Sequence, residues 1–248
     1  MINTKEVKKE FPIFSEREGL VYLDSASTTQ KPQCVVDSVA SYYSNYNANV
    51  HRALYEIGEK ATNEYEGVRE KIKDFLNVPD SHEVIFTRST TESINLVAYS
   101  WGMSNLNEDR GVLVSEMEHH SNLVPWQIVT EKTFSQLKHL PLNENGMLDL
   151  SSLETDLNNI GILALVHQSN VFGTINPVTK IVNQAKTKGV LTLIDGAQSV
   201  PHFPVDISNI DCDFYVFSGH KIVGPTGVGV LIGRKSILDN MDPFLGGG

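Results

Sequence analysis

The sequence predicts an α/β protein, with a mainly parallel sheet wrapped on both sides by helices. Three observations carry this. Short, mainly apolar or aromatic runs read as buried strands, among them Leu163-Ala164-Leu165-Val166, Val190-Leu191-Thr192-Leu193-Ile194 and Phe214-Tyr215-Val216-Phe217. Between them lie longer stretches with apolar residues at three- and four-residue steps, the period of an amphipathic helix. Strands and helices alternate, the order that builds parallel crossover units.

In chain order, Thr4 to Glu10 suggests a short polar helix, and Phe11-Pro12-Ile13-Phe14 an anchor for it. Residues 1–20 therefore read as an N-terminal helical arm and 21–248 as the main domain. Val21-Tyr22-Leu23 reads as a short strand entering the small-residue loop Asp24 to Thr29. Small side chains there let backbone approach a ligand closely. Pro32 suits the first turn of a helix running to about Asn45. Leu54, Ile57, Ala61, Tyr65, Val68, Ile72 and Phe75 recur with helical spacing and are expected to be mostly core. Glu83 to Phe86 is a strand, followed by Thr90, Thr91 and a helix from Glu92 to Trp101. Hydroxyls and free N–H groups at a helix start can cap the helix and hold an anion at once. Val112 to Val114 and Leu137 to Leu140 are further strands, with a turn at Asn143-Glu144-Asn145-Gly146. Pro177 opens a helix with Val178, Ile181, Val182 and Ala185 on one face. Val228 to Ile232 is the last strand.

Two strand tips carry the chemistry. One strand runs into Ser218-Gly219-His220-Lys221, and another ends at Asp195. Ligands gather at the carboxyl ends of strands in such sheets. A lysine held there against apolar surroundings can lose solvation and become a nucleophilic amine. A carboxylate buried at the neighbouring tip needs a cation or a donor. Pyridoxal phosphate (PLP) enzymes use this pair: the lysine for a Schiff base, the carboxylate to keep the pyridine nitrogen protonated.

Asp195-x-x-Gln198 and Ser218-x-His220-Lys221 resemble the class-V aminotransferase family of fold-type I PLP enzymes. Within it the chain is similar to the cysteine desulfurase and selenocysteine lyase branch, with the SUF-type desulfurases as the best match. The same resemblance runs through Tyr22 to Pro32, Asn49-Val50-His51-Arg52, Thr87 to Ala98, Met117 to Asn122 and Ser169 to Thr174, in order along nearly the whole chain. It implies the large PLP-transferase domain, lacking the small C-terminal domain into which relatives continue beyond the Gly246-Gly247-Gly248 run. In relatives that domain supplies the sulfur-accepting cysteine and a carboxylate-binding arginine, so the 248-residue chain alone is expected to be inactive.

The resemblance also implies roles. Lys221 would hold PLP and shuttle a proton. His119 would stack on the ring and help move protons, with His120 as support. Asp195 would pair with the ring nitrogen and Gln198 with the ring hydroxyl. Thr90, Thr91, Ser218 and His220 would hold the phosphate. Asn170 would lie near the ring hydroxyl and the substrate carboxylate, and Ala26 and His51 near the substrate. Ala53 and Tyr55 stand where relatives often carry Gly and His, which bears on substrate geometry. The implied activity converts L-cysteine to L-alanine and leaves sulfur as a persulfide for iron–sulfur cluster assembly. The implied protein is a cytoplasmic homodimer serving a SUF-type acceptor protein. Selenocysteine lyase, another class-V lyase, or a non-catalytic PLP-binding fragment remain alternatives on these motifs.

Composition bounds the partners. The 248 residues carry a formal net charge of −10, which argues against nucleic acid. The longest apolar stretch, around Ile160 to Val166, is too short to span a membrane. The N-terminus has no apolar core of a signal peptide. Cys34 and Cys212 make no metal-type spacing, and a reducing cytosol is expected. The adjacent His119 and His120 lack the HExxH spacing, so no metal is expected. Gly224-x-x-Gly227-x-Gly229 is not the dinucleotide order, and Gly233-Arg234-Lys235-Ser236 is not a complete P-loop; both read as tight turns.

Overall fold

The computed structural model describes residues 3–52 and 54–247; Met1, Ile2, Ala53 and Gly248 lie outside them. Seven strands form one sheet: β1 (His82–Thr87), β2 (Gly111–Ser115), β3 (Leu137–Leu140), β4 (Ile160–Val166), β5 (Leu191–Asp195), β6 (Phe214–Ser218) and β7 (Gly229–Arg234). Their order is β1-β7-β6-β5-β4-β2-β3. The run from β3 to β6 is parallel throughout. Only β7 runs against its neighbours, pairing antiparallel with both β1 and β6. The sheet is therefore mainly parallel, as the apolar runs predict.

Alternate residues of each strand feed two separate cores. Leu163 and Leu165, Ile194, Tyr215 and Phe217 pack with Ile181, Val182 and Ala185 of the helix Val178–Thr187. Ile162 and Ala164, Leu193, Phe214 and Val216 pack on the other side with Ile94, Val97, Trp101, Trp126 and Val129. Both faces are covered, so every residue of β4 is buried. This is why the strand shows no polar alternation in sequence.

The N-terminal region departs from expectation in three places. Two short helices, α1 (Thr4–Lys9) and α2 (Pro12–Glu16), precede an extended segment, but Val21-Tyr22-Leu23 joins no strand. Val21 and Leu23 are exposed, and the segment is held by the Tyr22 hydroxyl, which donates to the Thr28 carbonyl at 2.7 Å. The next helix, α3 (Gln33–Ser41), starts one residue after Pro32 and continues into a π-helical turn to Tyr46. The long helix α4 (Glu56–Leu76) forms, but its apolar stripe is not core. Only Gly58, Ala61 and Leu76 are buried, while Ile57, Val68 and Phe75 stay exposed. Periodicity fixes that a helix has an apolar face; it does not say what covers that face.

Candidate active site

A cleft of about 460 Å³ opens at the carboxyl ends of β5 and β6. Its walls come from elements far apart in sequence: the loop at Ala26, the start of helix α5 (Thr90–Val97), the segment around His119, the β4 end at Val166 with Asn170, and the tips of β5 and β6. All predicted site residues but one line it: Ala26, Thr90, Thr91, His119, Asn170, Asp195, Gln198, Ser218, His220 and Lys221.

The exception is His51. It sits near the start of α4, its Nε2 is 2.7 Å from Glu66 Oε1, and its ring packs on Tyr65. The structure does not bring it to this cleft. A histidine drawn to a carboxylate on an adjacent helix satisfies itself locally.

Asp195 ends β5 and is buried. Parallel pairing sets Asp195 opposite Val216 of β6, so both tips emerge at one edge. Its Oδ1 accepts the Ala197 N–H at 2.9 Å. Burial raises its carboxyl above the usual range, with the Ala197 bond, Lys221 and His119 opposing. Its carboxylate accepts no other hydrogen bond from a described residue, so Oδ2 is left with none. Lys221 closes a short 3₁₀ turn, Gly219–Lys221, just past β6. Partial burial lowers its ammonium below the ordinary lysine range, and Asp195 opposes that shift. It makes no hydrogen bond to a described residue. The cleft thus holds an amine of reduced basicity facing a carboxylate with a free oxygen.

The helix start supplies hydroxyls. Ser89, not a threonine, is the N-cap of α5, its side chain accepting the Glu92 N–H at 3.1 Å. That frees Thr90 and Thr91 for other contacts. Thr90 donates its N–H to Ser218 Oγ at 2.7 Å, and the two hydroxyls are 2.6 Å apart. Thr91 Oγ1 is 2.7 Å from Ser121 Oγ. Gln198 donates to the Ala26 carbonyl at 2.7 Å, which draws the N-terminal loop over the cleft.

His119 is held by a residue that the sequence did not single out. The Ser121 N–H donates to His119 Nδ1 at 3.1 Å. An atom that accepts cannot carry the proton, so the neutral ring is protonated at Nε2. Burial and the nearby Lys221 charge lower the ring's proton affinity. Glu118, beside it, points its carboxyl end inward. It accepts from Ser115 Oγ, from Val166 N at 2.9 Å and from Asn122 Nδ2 at 2.6 Å. Burial pushes its carboxyl up to about 8 despite these bonds. Ser121 and Glu118 fall within the Met117 to Asn122 segment that carries the resemblance, but the sequence assigns neither a role.

The two cysteines lie elsewhere. Cys34 is exposed on α3 and Cys212 is buried, its thiol pushed far up by burial and then by Asp213. A larger concavity, about 730 Å³, is a shallow surface along the helix Val178–Thr187 and carries no lysine–carboxylate pair. No helix among the described residues is long and apolar enough to cross a membrane.

A strand-tip lysine, a buried carboxylate and a hydroxyl-bearing helix start thus line one cleft. The chain belongs to the class-V aminotransferase family, whose sequence model matches residues 21–248. That family is PLP-dependent. Relatives carry a more particular description. A probable cysteine desulfurase of Halalkalibacterium halodurans is 47% identical across 100% of this chain and 62% of its own length. A cysteine desulfurase of Pectobacterium atrosepticum is 46% identical across 98% of this chain and 61% of its own. The crystal structure of the cysteine desulfurase CsdA from Escherichia coli superposes with a TM-score of 0.90 at 40% identity, covering 100% of this chain and 62% of that one. The apo cysteine desulfurase of Thermococcus onnurineus gives 0.92 at 36% identity, over 100% and 61%. The chain therefore spans about three-fifths of the length of the relatives it matches.

Proposed function

We propose that this chain carries the cofactor cleft of a PLP-dependent cysteine desulfurase, acting on L-cysteine to give L-alanine and a persulfide. One observation carries the reading: Lys221 and Asp195 line one cleft from adjacent parallel strand tips, each with a reactive atom left without a protein partner. The donor set fits the cofactor. Asp195 Oδ2 is available to a protonated ring nitrogen, Lys221 Nζ to an aldehyde carbon, and the Thr90–Ser218 hydroxyls to a phosphate. Bound there, PLP would supply an electron sink for bond cleavage on the substrate amino acid.

The chain's own groups do the rest. Lys221 Nζ would hold the cofactor and, displaced by the substrate amine, take the α-proton. Its lowered basicity leaves a larger fraction neutral and nucleophilic at neutral pH. Asp195 would keep the ring nitrogen protonated. Thr90, Thr91, Ser218 and His220 would hold the phosphate, aided by the helix start. Gln198, already fixed on Ala26, would use its remaining N–H on the ring hydroxyl. His119 would lie over the ring with its Nε2 proton, and Asn170 and Ala26 would face the substrate. His51 is left out of this assignment.

Residues 1–20 would form an arm beside the domain 21–248. The protein would act as a cytoplasmic homodimer, passing sulfur to a SUF-type acceptor for iron–sulfur cluster assembly. The test is chemical. Added PLP, fixed with borohydride, should appear on the peptide containing Lys221 and vanish in Lys221→Ala. In the full-length protein, alanine formation from L-cysteine should vanish with it. Label on another lysine, or alanine formation that survives Lys221→Ala, would overturn the proposal.

A further inference from the structure

The loop before α3 ties itself to the turn that carries Lys221. The carbonyl of His220, the residue just before Lys221, accepts from Thr29 N at 3.0 Å, Thr29 Oγ1 at 2.9 Å and Lys31 Nζ at 2.9 Å. Lys31 Nζ also donates to the Thr29 carbonyl at 2.7 Å. Thr29 Oγ1 in turn accepts the Val223 N–H at 2.9 Å, and Thr28 Oγ1 lies 3.1 Å from His220 Nδ1. Lys31 is half-buried and its charge meets main-chain oxygens rather than a carboxylate among the described residues. Lysine ammoniums are strongly hydrated, and most remain in water. Here one is drawn onto two main-chain carbonyls, one of them in the peptide next to the active amine.

The turn needs such a hold. Gly219–Lys221 is a single short 3₁₀ turn, with Gly219 at its start and Gly224 three residues past Lys221. Rotating the His220–Lys221 peptide would swing the Cα–Cβ bond of Lys221 out of the cleft. A carbonyl clamped by an amide, a hydroxyl and a charged donor resists that rotation, since charge-assisted hydrogen bonds are the stronger kind. Catalytic groups need placement to within about 0.5 Å.

We propose that Lys31 is a positioning residue for Lys221: with Thr29 it locks the His220–Lys221 peptide and so aims the Lys221 amine into the cleft. The inference rests on Lys221 being the cofactor lysine. Lys31→Met keeps chain length and removes the donor; Thr29→Val keeps shape and removes the hydroxyl. In each, the rate at which added PLP becomes fixable on Lys221 is measured beside the thermal midpoint. Both variants should attach PLP about tenfold more slowly, the scale of one lost hydrogen bond to a charged group, at a midpoint close to the parent's. The double variant should be slowed less than the product of the singles, because both donors serve one carbonyl. Without cofactor, Val223 N–H should exchange faster in Lys31→Met. Attachment at the parental rate, or slowing matched by a general loss of stability, would overturn the proposal. If Lys31→Met does not fold, Thr29→Val decides by the same criteria. If the parent takes no PLP on Lys221, the functional reading fails separately, and Val223 exchange still decides the strap: faster exchange supports it and unchanged exchange refutes it.

Discussion

Gly229→Ala tests how the cleft is built without reference to catalysis. Gly229 opens β7 and pairs with Thr87 of β1 and Ser218 of β6. A Cβ there would lie 2.4 Å from the Ser89 carbonyl carbon and 2.6 Å from its Cα and N. Carbon contacts prefer about 3.5–4.0 Å, so roughly 1 Å must open. The obstacle is backbone, and it is the N-cap of α5. Overpacking of this kind costs about 1–3 kcal/mol. Moving the cap also pulls Thr90 off Ser218, and an orphaned buried N–H costs about 1–3 kcal/mol more. The two losses share one displacement and are not fully additive, which leaves on the order of 3 kcal/mol. For a chain of this size that is a fall in Tm of about 6–12 °C. Gly67→Ala is the control. Gly67 lies inside α4 with nothing near its added Cβ, so the same substitution should stabilise by about 0.5–1 kcal/mol. Thermal unfolding followed by circular dichroism reads both. A Gly229→Ala midpoint equal to the parent's would show that the α5 start is not wedged against β7, and the reasoning about the cleft would fail with it.

Three further outcomes are expected. Glu118 has its folded pKa raised to about 8 from 4.5, so the folded state binds more protons than the unfolded between those values, and stability falls as pH rises through that window. His167, lowered to about 4 from 6.5 by burial, works the other way below pH 6.5, and Asp195, also raised by burial, works in the same sense as Glu118; unfolding curves of Glu118→Gln should therefore decline less than the parent's from about pH 6.5 to 8, by on the order of 1–2 kcal/mol, and a decline equal to the parent's would refute its assignment. A thiol reagent should titrate one group, Cys34, in the native chain and two after denaturation, because the Cys212 thiol is buried and disfavoured as thiolate; rapid native reaction of both would contradict its burial. Asp195→Asn should keep PLP on Lys221 and lose no fold stability, since a buried charge is removed, while alanine formation by the full-length protein drops at least about a hundredfold for want of a positioned proton-holding group; near-normal turnover would mean that another carboxylate does this work.

Much of the site was legible in the sequence because strand tips can be read locally. An apolar run ending in Asp195 or in Ser218-Gly219-His220-Lys221 says what stands at the edge of a buried sheet, and the motif order says which family's site it resembles. The sheet's parallel character followed from the same runs. The antiparallel β7 did not, because strand direction depends on where a short connection returns and not on composition. The true cap of α5 is Ser89 because Thr90 is taken up by Ser218, a partner far along the chain.

Contacts between distant segments decided the rest. Val21 to Leu23 has strand-like residues but no strand to pair with, and the stripe of α4 has helical spacing but little to bury it. His51 left the cleft for Glu66. Lys31, unremarkable in sequence, reached the His220 carbonyl. By itself the sequence determined local periodicity and which chemical groups stand at strand ends, since these depend on neighbours along the chain. Which hydroxyl, ammonium or carboxylate each group meets was decided only by the tertiary structure, because a buried polar atom takes whatever partner folding brings within hydrogen-bond distance.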